Sequence, residues 1–222
     1  MASKKSRRRR SNPERKKSPL EKKEVKIGIF ILAIILIVAI AAVILMSGGN
    51  NNDGNGDIVE GNPIAVIDTS KGIIKVELFQ DLLPTTVENF INLANDDYYD
   101  GMIFHRVMDD FMIQAGNMYP DGPTSNNPGT IEYEEHENAI HVDGAISMAS
   151  TGDRVGGSAQ FFICDGARHD LDGRYAAFGV TIEGIEVVRD IADEPHDGSS
   201  GSVGGGKPYT DIIINSITIE NQ

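Results

Sequence analysis

The sequence predicts a mainly β domain, a sandwich or a closed barrel, set behind a stretch able to cross a membrane. Three observations lead there. From residue 63 onward the chain reads as many short apolar runs broken by Gly, Pro, Asn and Asp. Only two stretches of that region carry apolar residues at helical spacing. Upstream, Ile27 to Met46 runs for 20 residues without a charge. Short strands with frequent turn signals and few helices are the pattern of an all-β architecture, and periodicity alone does not choose between sandwich and barrel.

Residues 1–26 hold 12 of the 20 Lys and Arg and 3 of the 33 Asp and Glu, a charge of +9; the remainder carries 8 and 30, or −22. The segment has two prolines and no apolar face, the composition of a disordered tail. The apolar run 27–46 has the length of a spanning helix. A buried core helix rarely lacks every polar residue over that length. A secretory signal usually has a shorter apolar region and a shorter charged lead, although Ser47-Gly48-Gly49 offers small residues for a cut. The reading is a retained single-pass anchor. Positive charge before it predicts a cytoplasmic N-terminus and a domain outside. Residues 47–62, rich in Gly, Asn and Asp, are a flexible linker that spans roughly 20–25 Å as a coil.

The folded domain is placed at 63–222. IAVID and IIKVELF alternate around Ser70-Lys71-Gly72 and predict a β-hairpin. Pro84 opens a helix with Val87, Phe90, Ile91 and Ala94 on one face. Strands follow at 102–107 and 111–115, then a loop over 117–129. Short strands are expected near Ile131, Ala145–Met148, Gln160–Ile163 and Ala176–Val180. A second helix spans about Glu183 to Ile191, with Ile185, Val188 and Ile191 on one side. Residues 195–206 form a Gly/Ser loop, and 212–219 the last strand. The single cysteine, Cys164, sits in the apolar run FFIC and reads as a buried thiol. The acidic run from Glu132 to Glu137 reads as a solvated loop.

The domain is organised around Phe104 to Asn117, FHRVMDDFMIQAGN. Arg106 stands there among large apolar residues, where burying a permanent cation is costly. Strand alternation puts Phe104 with Arg106 on one face, His105 on the other, and Met112 with Gln114 together. Pairing of the two strands would collect a guanidinium, an amide and apolar groups, the makeup of a site for a small apolar ring with a polar atom beside it.

This stretch resembles the signature of the cyclophilin-type peptidyl-prolyl isomerases. The resemblance continues in order through GAISMAS (144–150), AQFFICDG (159–166), LDGRYAAFG (171–179) and EGIEVVRDI (183–191). It implies a closed eight-stranded antiparallel barrel capped by two helices, and rotation about X–Pro bonds as the reaction. Arg106 would be the catalytic donor and Gln114 would bond the substrate backbone. Phe111, Met112, Phe162 and Leu171 match the proline pocket, and Ala149 and Gln160 the substrate groove. Ser150 stands where many relatives carry asparagine, and Tyr175 where some carry histidine. The implied partners are proline-containing polypeptides, with folding of exported proteins as the role. The residue before Leu171-Asp172-Gly173 is Asp170, where cyclosporin-sensitive relatives commonly place tryptophan. A rim anion without a partner implies weak cyclosporin binding.

Such a reaction needs no cofactor and no metal, and the five histidines show no metal-ligand spacing with the cysteine. The acidic body argues against nucleic acid as a partner. The alternative from another class is a catalytically idle module that holds proline-containing segments in the same groove. Retention of both Arg106 and Gln114 favours the enzyme. A third reading gives the basic tail a cytoplasmic partner of its own.

Overall fold

A computed structural model describes residues 61–220. The basic tail, the apolar run 27–46 and nearly all of the 47–62 linker lie outside the described residues. Among the described residues, no helix is long and apolar enough to cross a membrane.

Among the described residues ten strands form in chain order: β1 (Ile64–Thr69), β2 (Gly72–Leu78), β3 (Arg106–Met108), β4 (Met112–Ala115), β5 (Met118–Tyr119), β6 (Gly122–Pro123), β7 (Ala145–Met148), β8 (Phe161–Cys164), β9 (Ala176–Glu183) and β10 (Ile214–Glu220). Two helices join them, α1 (Pro84–Asn95) and α2 (Ile185–Ala192). Eight strands make one sheet in the order β10-β1-β2-β9-β7-β8-β4-β3, and every pairing in it is antiparallel. Strands β5 and β6 pair separately as a small hairpin. It lies where the sequence suggested only a loop, while the short strand expected near Ile131 is absent.

The sheet curls strongly. Register shifts at Asp68/Thr69, Lys75/Val76 and Ile146/Ser147 increase local twist and bend the strands. The ladder does not close, however, and this corrects the closed barrel the sequence suggested. Strand β3 is only three residues long, and its Val107 exchanges both backbone bonds with Gly206 in an isolated bridge rather than with β10. Between β3 and β10 the seam consists of bonds from the chain ahead of β3 to Ile212 and to Ile214, the first residue of β10. Gly101 N donates to Ile214 O (2.8 Å), Ile214 N to Met102 O (2.8 Å) and Phe104 N to Ile212 O (3.0 Å). The architecture is a curled half-barrel with two helices.

Helix α1 packs against β10 and β9. Val87, Phe90, Leu93 and Ala94 are buried at the spacing of one helical face. Proline at its first turn is favourable, but Leu83 at the N-cap supplies no side-chain bond. The capping comes from 48 residues away: Glu134 Oε2 accepts from Thr86 N (2.7 Å) and Thr86 Oγ1 (2.7 Å). Its other oxygen accepts from Thr85 N at 3.1 Å. Thus one residue of the acidic run is a helix cap rather than part of a merely solvated loop. Burial would raise the Glu134 carboxyl, but the bonds from Thr86 and Thr85 outweigh it and hold it below its usual value. Helix α2 packs against β2, β3 and β4, burying Val188, Ile191 and Ala192.

Alternation along β4 and β8 divides the apolar residues into two clusters. The larger fills the half-barrel under α1 and includes Phe90, Tyr99, Ile113, Phe161, Ile163 and Phe178. The smaller lies on the opposite face and gathers Met112, Ala145, Phe162, Cys164 and Leu171, with Phe111 and Tyr175 packed on it.

Candidate active site

The site grows from the β3–β4 hairpin. Arg106 pairs across the ladder with Gln114, Val107 with Ile113, and Met108 with Met112. Ile113 and Ala115 enter the large core, which leaves Met112 and Gln114 facing the other way, as alternation requires. Strand β8 continues the surface, since Gln114 lies opposite Phe162.

Nine of the residues singled out from sequence line one cavity of about 210 Å³: Arg106, Phe111, Met112, Gln114, Ala149, Ser150, Phe162, Leu171 and Tyr175. The tenth, Gln160, adjoins it, its Oε1 accepting from Gln114 Nε2 at 3.0 Å. Gln160 lines a neighbouring cavity of about 320 Å³, whose walls include Thr130, Thr151, Val155 and Ser158. Gln114, Ala149 and Ser150 border both, so the two form one groove. The Ser150 hydroxyl donates to Gly152 O at 2.6 Å, which turns it into its own loop and leaves the backbone as the contact it can offer.

Arg106 is half-buried. Its Nε donates to Gly204 O at 3.1 Å and its Nη2 to Val203 O at 2.8 Å. The guanidinium lies 5.8 Å from the Phe111 ring centre. Burial pulls its pKa down from the usual value, yet a guanidinium starts so high that it keeps its charge at neutral pH. The expected common face for Phe104 and Arg106 is not formed. Phe104 is in the large core with Val107, because β3 begins only at Arg106 and the chain ahead of it does not keep strand alternation. His105 lies outside the cavity, and burial together with Arg106 lowers its pKa to about 4.

The rim differs from expectation in one respect. Asp170 is not an isolated anion. Arg168 meets it with Nε at 3.2 Å from Oδ1 and Nη2 at 3.3 Å from Oδ2. The same guanidinium lies 4.6 Å from the centre of the Phe111 ring. Phe111 therefore has two guanidinium groups near its ring, those of Arg106 and Arg168, each attracted by the ring's π-face.

A buried polar chain under the cavity floor escaped sequence reasoning. His141 is fully buried, and its ring stacks on Phe162 at 6.0 Å and 9°. Its Nδ1 donates to Asp172 Oδ1 at 2.9 Å, and its Nε2 accepts from the Ser147 hydroxyl at 3.0 Å. Asp172 also accepts from the His141 backbone at 2.7 Å and from His169 Nδ1 at 2.9 Å. Burial lowers the His141 pKa against the opposing pull of Asp172, so the ring is neutral and the chain is a set of hydrogen bonds rather than an ion pair. Ser147 is fully buried. It has the partners of a nucleophile but no access to a substrate. No local spacing announces such a chain, because its members come from a loop, β7 and the turn after Leu171. Cys164 is buried as read from sequence, and burial pushes its thiol up to about 12.

The half-barrel thus joins, on the face away from the large core, a cavity walled by Phe111, Met112, Phe162 and Leu171 to one oriented guanidinium, and this combination is the ground for comparison with known proteins. The comparisons are specific. Residues 64–219 match the family described as cyclophilin type peptidyl-prolyl cis-trans isomerase/CLD. A peptidyl-prolyl cis-trans isomerase of Synechococcus elongatus is 42% identical over 130 residues, covering 57% of this chain and 87% of that protein. The crystal structure of a Cryptosporidium parvum cyclophilin type isomerase superposes with a TM-score of 0.63 at 31% identity, covering 72% of this chain and 97% of that one. A second structure of that isomerase, in the presence of the dipeptide Ala-Pro, has the same TM-score and covers 71% and 98%. This chain belongs to the cyclophilin-type peptidyl-prolyl cis-trans isomerase family, and peptidyl-prolyl cis-trans isomerisation is its activity.

Proposed function

We propose that Arg106 is the transition-state donor of this isomerase and that the cavity beside it takes the proline ring. The planar amide resists rotation by about 18–20 kcal/mol because the nitrogen lone pair is shared with the carbonyl. Midway through rotation the lone pair is localised on nitrogen. A donor aimed there stabilises the twisted state and neither planar one, which lowers the barrier. Phe111, Met112, Phe162 and Leu171 would surround the ring, and Gln114, oriented by Gln160, would hold the backbone next to it. Ala149, Ser150 and Tyr175 would border the chain on either side. The observation that carries this reading is the placement of a half-buried guanidinium at the edge of a cavity of about 210 Å³ walled in part by Phe111, Met112, Phe162 and Leu171.

Arg106→Ala in the full chain should lower turnover of an X–Pro peptide by about a hundredfold or more, the worth of one preorganised donor (~3 kcal/mol). A folded variant with near-normal turnover would refute the assignment. In the unmodified enzyme the rate should stay nearly level from about pH 6 to 8, since arginine does not titrate there.

The setting we propose is the outer face of a membrane. The run 27–46 would anchor the domain, and its clients would be proline-containing segments of exported proteins. What supports this is the uncharged run of 20 residues, with +9 before it and −22 after it. External protease on intact cells should digest the domain and leave an anchored stub; protection until lysis would reverse the topology. Cyclosporin should bind weakly, because no indole is offered at Asp170.

A further inference from the structure

We propose that the loop from Asp197 to Gly206 is a clamp that sets the plane of the Arg106 guanidinium, and that Asp197 is its positioning residue. This rests on Arg106 being the catalytic donor. The loop joins α2 to β10 and is rich in Gly and Ser, a composition that by itself gives a flexible coil. Here it is tied at three levels.

At its neck, Asp197 Oδ1 accepts from Ser199 N and Lys207 N, both at 2.9 Å, while Asp197 N donates to Lys207 O at 3.0 Å. Along the edge of β3, Val107 N donates to Gly206 O (2.9 Å) and Gly206 N to Val107 O (3.2 Å). The approach is too close for side chains. A Cβ on Gly205 would stand 2.4 Å from Val107 O and one on Gly204 2.8 Å from Met108 Sδ, and both residues have positive φ (+74° and +77°). At its crown, Val203, the last residue of the 3-10 turn Gly201–Val203, and Gly204 just after it present two successive carbonyls to Arg106.

Those carbonyls take Nε and one hydrogen of Nη2, the two groups on one edge of the guanidinium. Rotation of the side chain's last torsion would break both bonds together. Three of the five N–H groups stay available to substrate. A cover for an exposed strand edge would need only the Gly206 bridge. Spending two further carbonyls on a cation at the cavity fixes where its free donors point, and donor placement is what such catalysis depends on.

The test is a double-mutant cycle in the full chain, with turnover of an X–Pro peptide and hydrogen exchange of the Arg106 Nε proton as readouts. Asp197→Ala should lower kcat by about three- to thirtyfold with little change in KM, and should speed Nε proton exchange. Asp197→Asn should retain most of the activity, because its amide oxygen can accept the same two N–H bonds. In an Arg106→Ala background, Asp197→Ala should cost nothing more. Gly206→Ala offers a second route, since its Cβ would stand 2.5 Å from Asp197 Oδ1 and from Gly198 N; it should produce the same kcat loss. Normal kcat and unchanged exchange in both loop variants, or equal losses with and without Arg106, would overturn the clamp. A near-normal Arg106→Ala enzyme would instead remove the reading beneath it, so the two failures are distinguishable.

Discussion

Phe161 and Phe162 are neighbours on β8 and belong to different worlds. Phe161 is fully buried and packs edge-on against Phe90 (5.5 Å, 89°) and Tyr99 (5.5 Å, 83°) in the large core. Phe162 turns the other way, stacks on His141 and meets Tyr175 edge-on at 5.9 Å while lining the cavity. The period-two alternation of one strand thus separates the closed core from the cavity wall by a single residue step. The core cluster is closed by α1 and is almost wholly apolar contact, its buried Tyr99 hydroxyl donating to Ala159 O at 3.1 Å. The cavity cluster is open on one side, and its far side is backed by hydrogen bonds through His141 instead of by more hydrocarbon.

The sharpest way to break this comparison is to truncate both rings. Phe161→Ala should cost about 3–5 kcal/mol of stability, as large aromatic deletions in a closed core do. Phe162→Ala should be milder in denaturant melts but should cut peptide turnover at least about tenfold, equivalent to ~1.4 kcal/mol of lost transition-state fit. Equal destabilisation by the two variants would mean that the clusters are one core. Next in size is the rim of the cavity cluster. Losing a large aromatic hot spot costs roughly 2–4 kcal/mol in binding, about thirtyfold to several hundredfold in affinity. Asp170→Trp should therefore recover part of a weak cyclosporin affinity, although the indole would have to displace the Arg168–Asp170 pair described above. Nanomolar inhibition of the unmodified enzyme in a titration would contradict the expectation.

The smallest effect concerns the core side alone. Glu134→Ala removes the cap of α1 and should cost about 1 kcal/mol, with turnover unchanged at temperatures where the variant is folded. Because the folded carboxyl sits below its usual value of 4.5, its contribution is present above that pH and is lost as the pH falls through the lowered value. The difference in stability between the natural chain and the variant should accordingly shrink in acid. A constant difference down to pH 3 would show that the loss is one of packing rather than of the charged cap.

How much of this was legible in advance follows from the range over which each feature is decided. Both helices, the first hairpin and the strands around Ala145–Met148 and Phe161–Cys164 show in local periodicity, because burial of one face imposes it residue by residue. The residues that the motifs singled out are brought together: Arg106, Phe111, Met112, Gln114, Ala149, Ser150, Phe162, Leu171 and Tyr175 meet at one cavity, with Gln160 beside it. What no local pattern carried was every contact made across long stretches of chain. Glu134 capping a helix 48 residues earlier, Asp172 reaching His141, Arg168 neutralising Asp170 over Phe111, and two loop carbonyls holding Arg106 from 97 and 98 positions away are of this kind. The open seam belongs with them, since whether β3 pairs with β10 or with Gly206 depends on which backbone arrives at its edge. Sequence alone missed the β5–β6 hairpin and placed a strand near Ile131 that does not form; it determined both helices, most strands of the large sheet and the residue types gathered at the candidate site, because alternation and motif are properties of neighbours along the chain. Only the tertiary structure decided their hydrogen-bond partners and the direction of the guanidinium, because a polar group's partner is chosen by proximity in space after the sheet has curled.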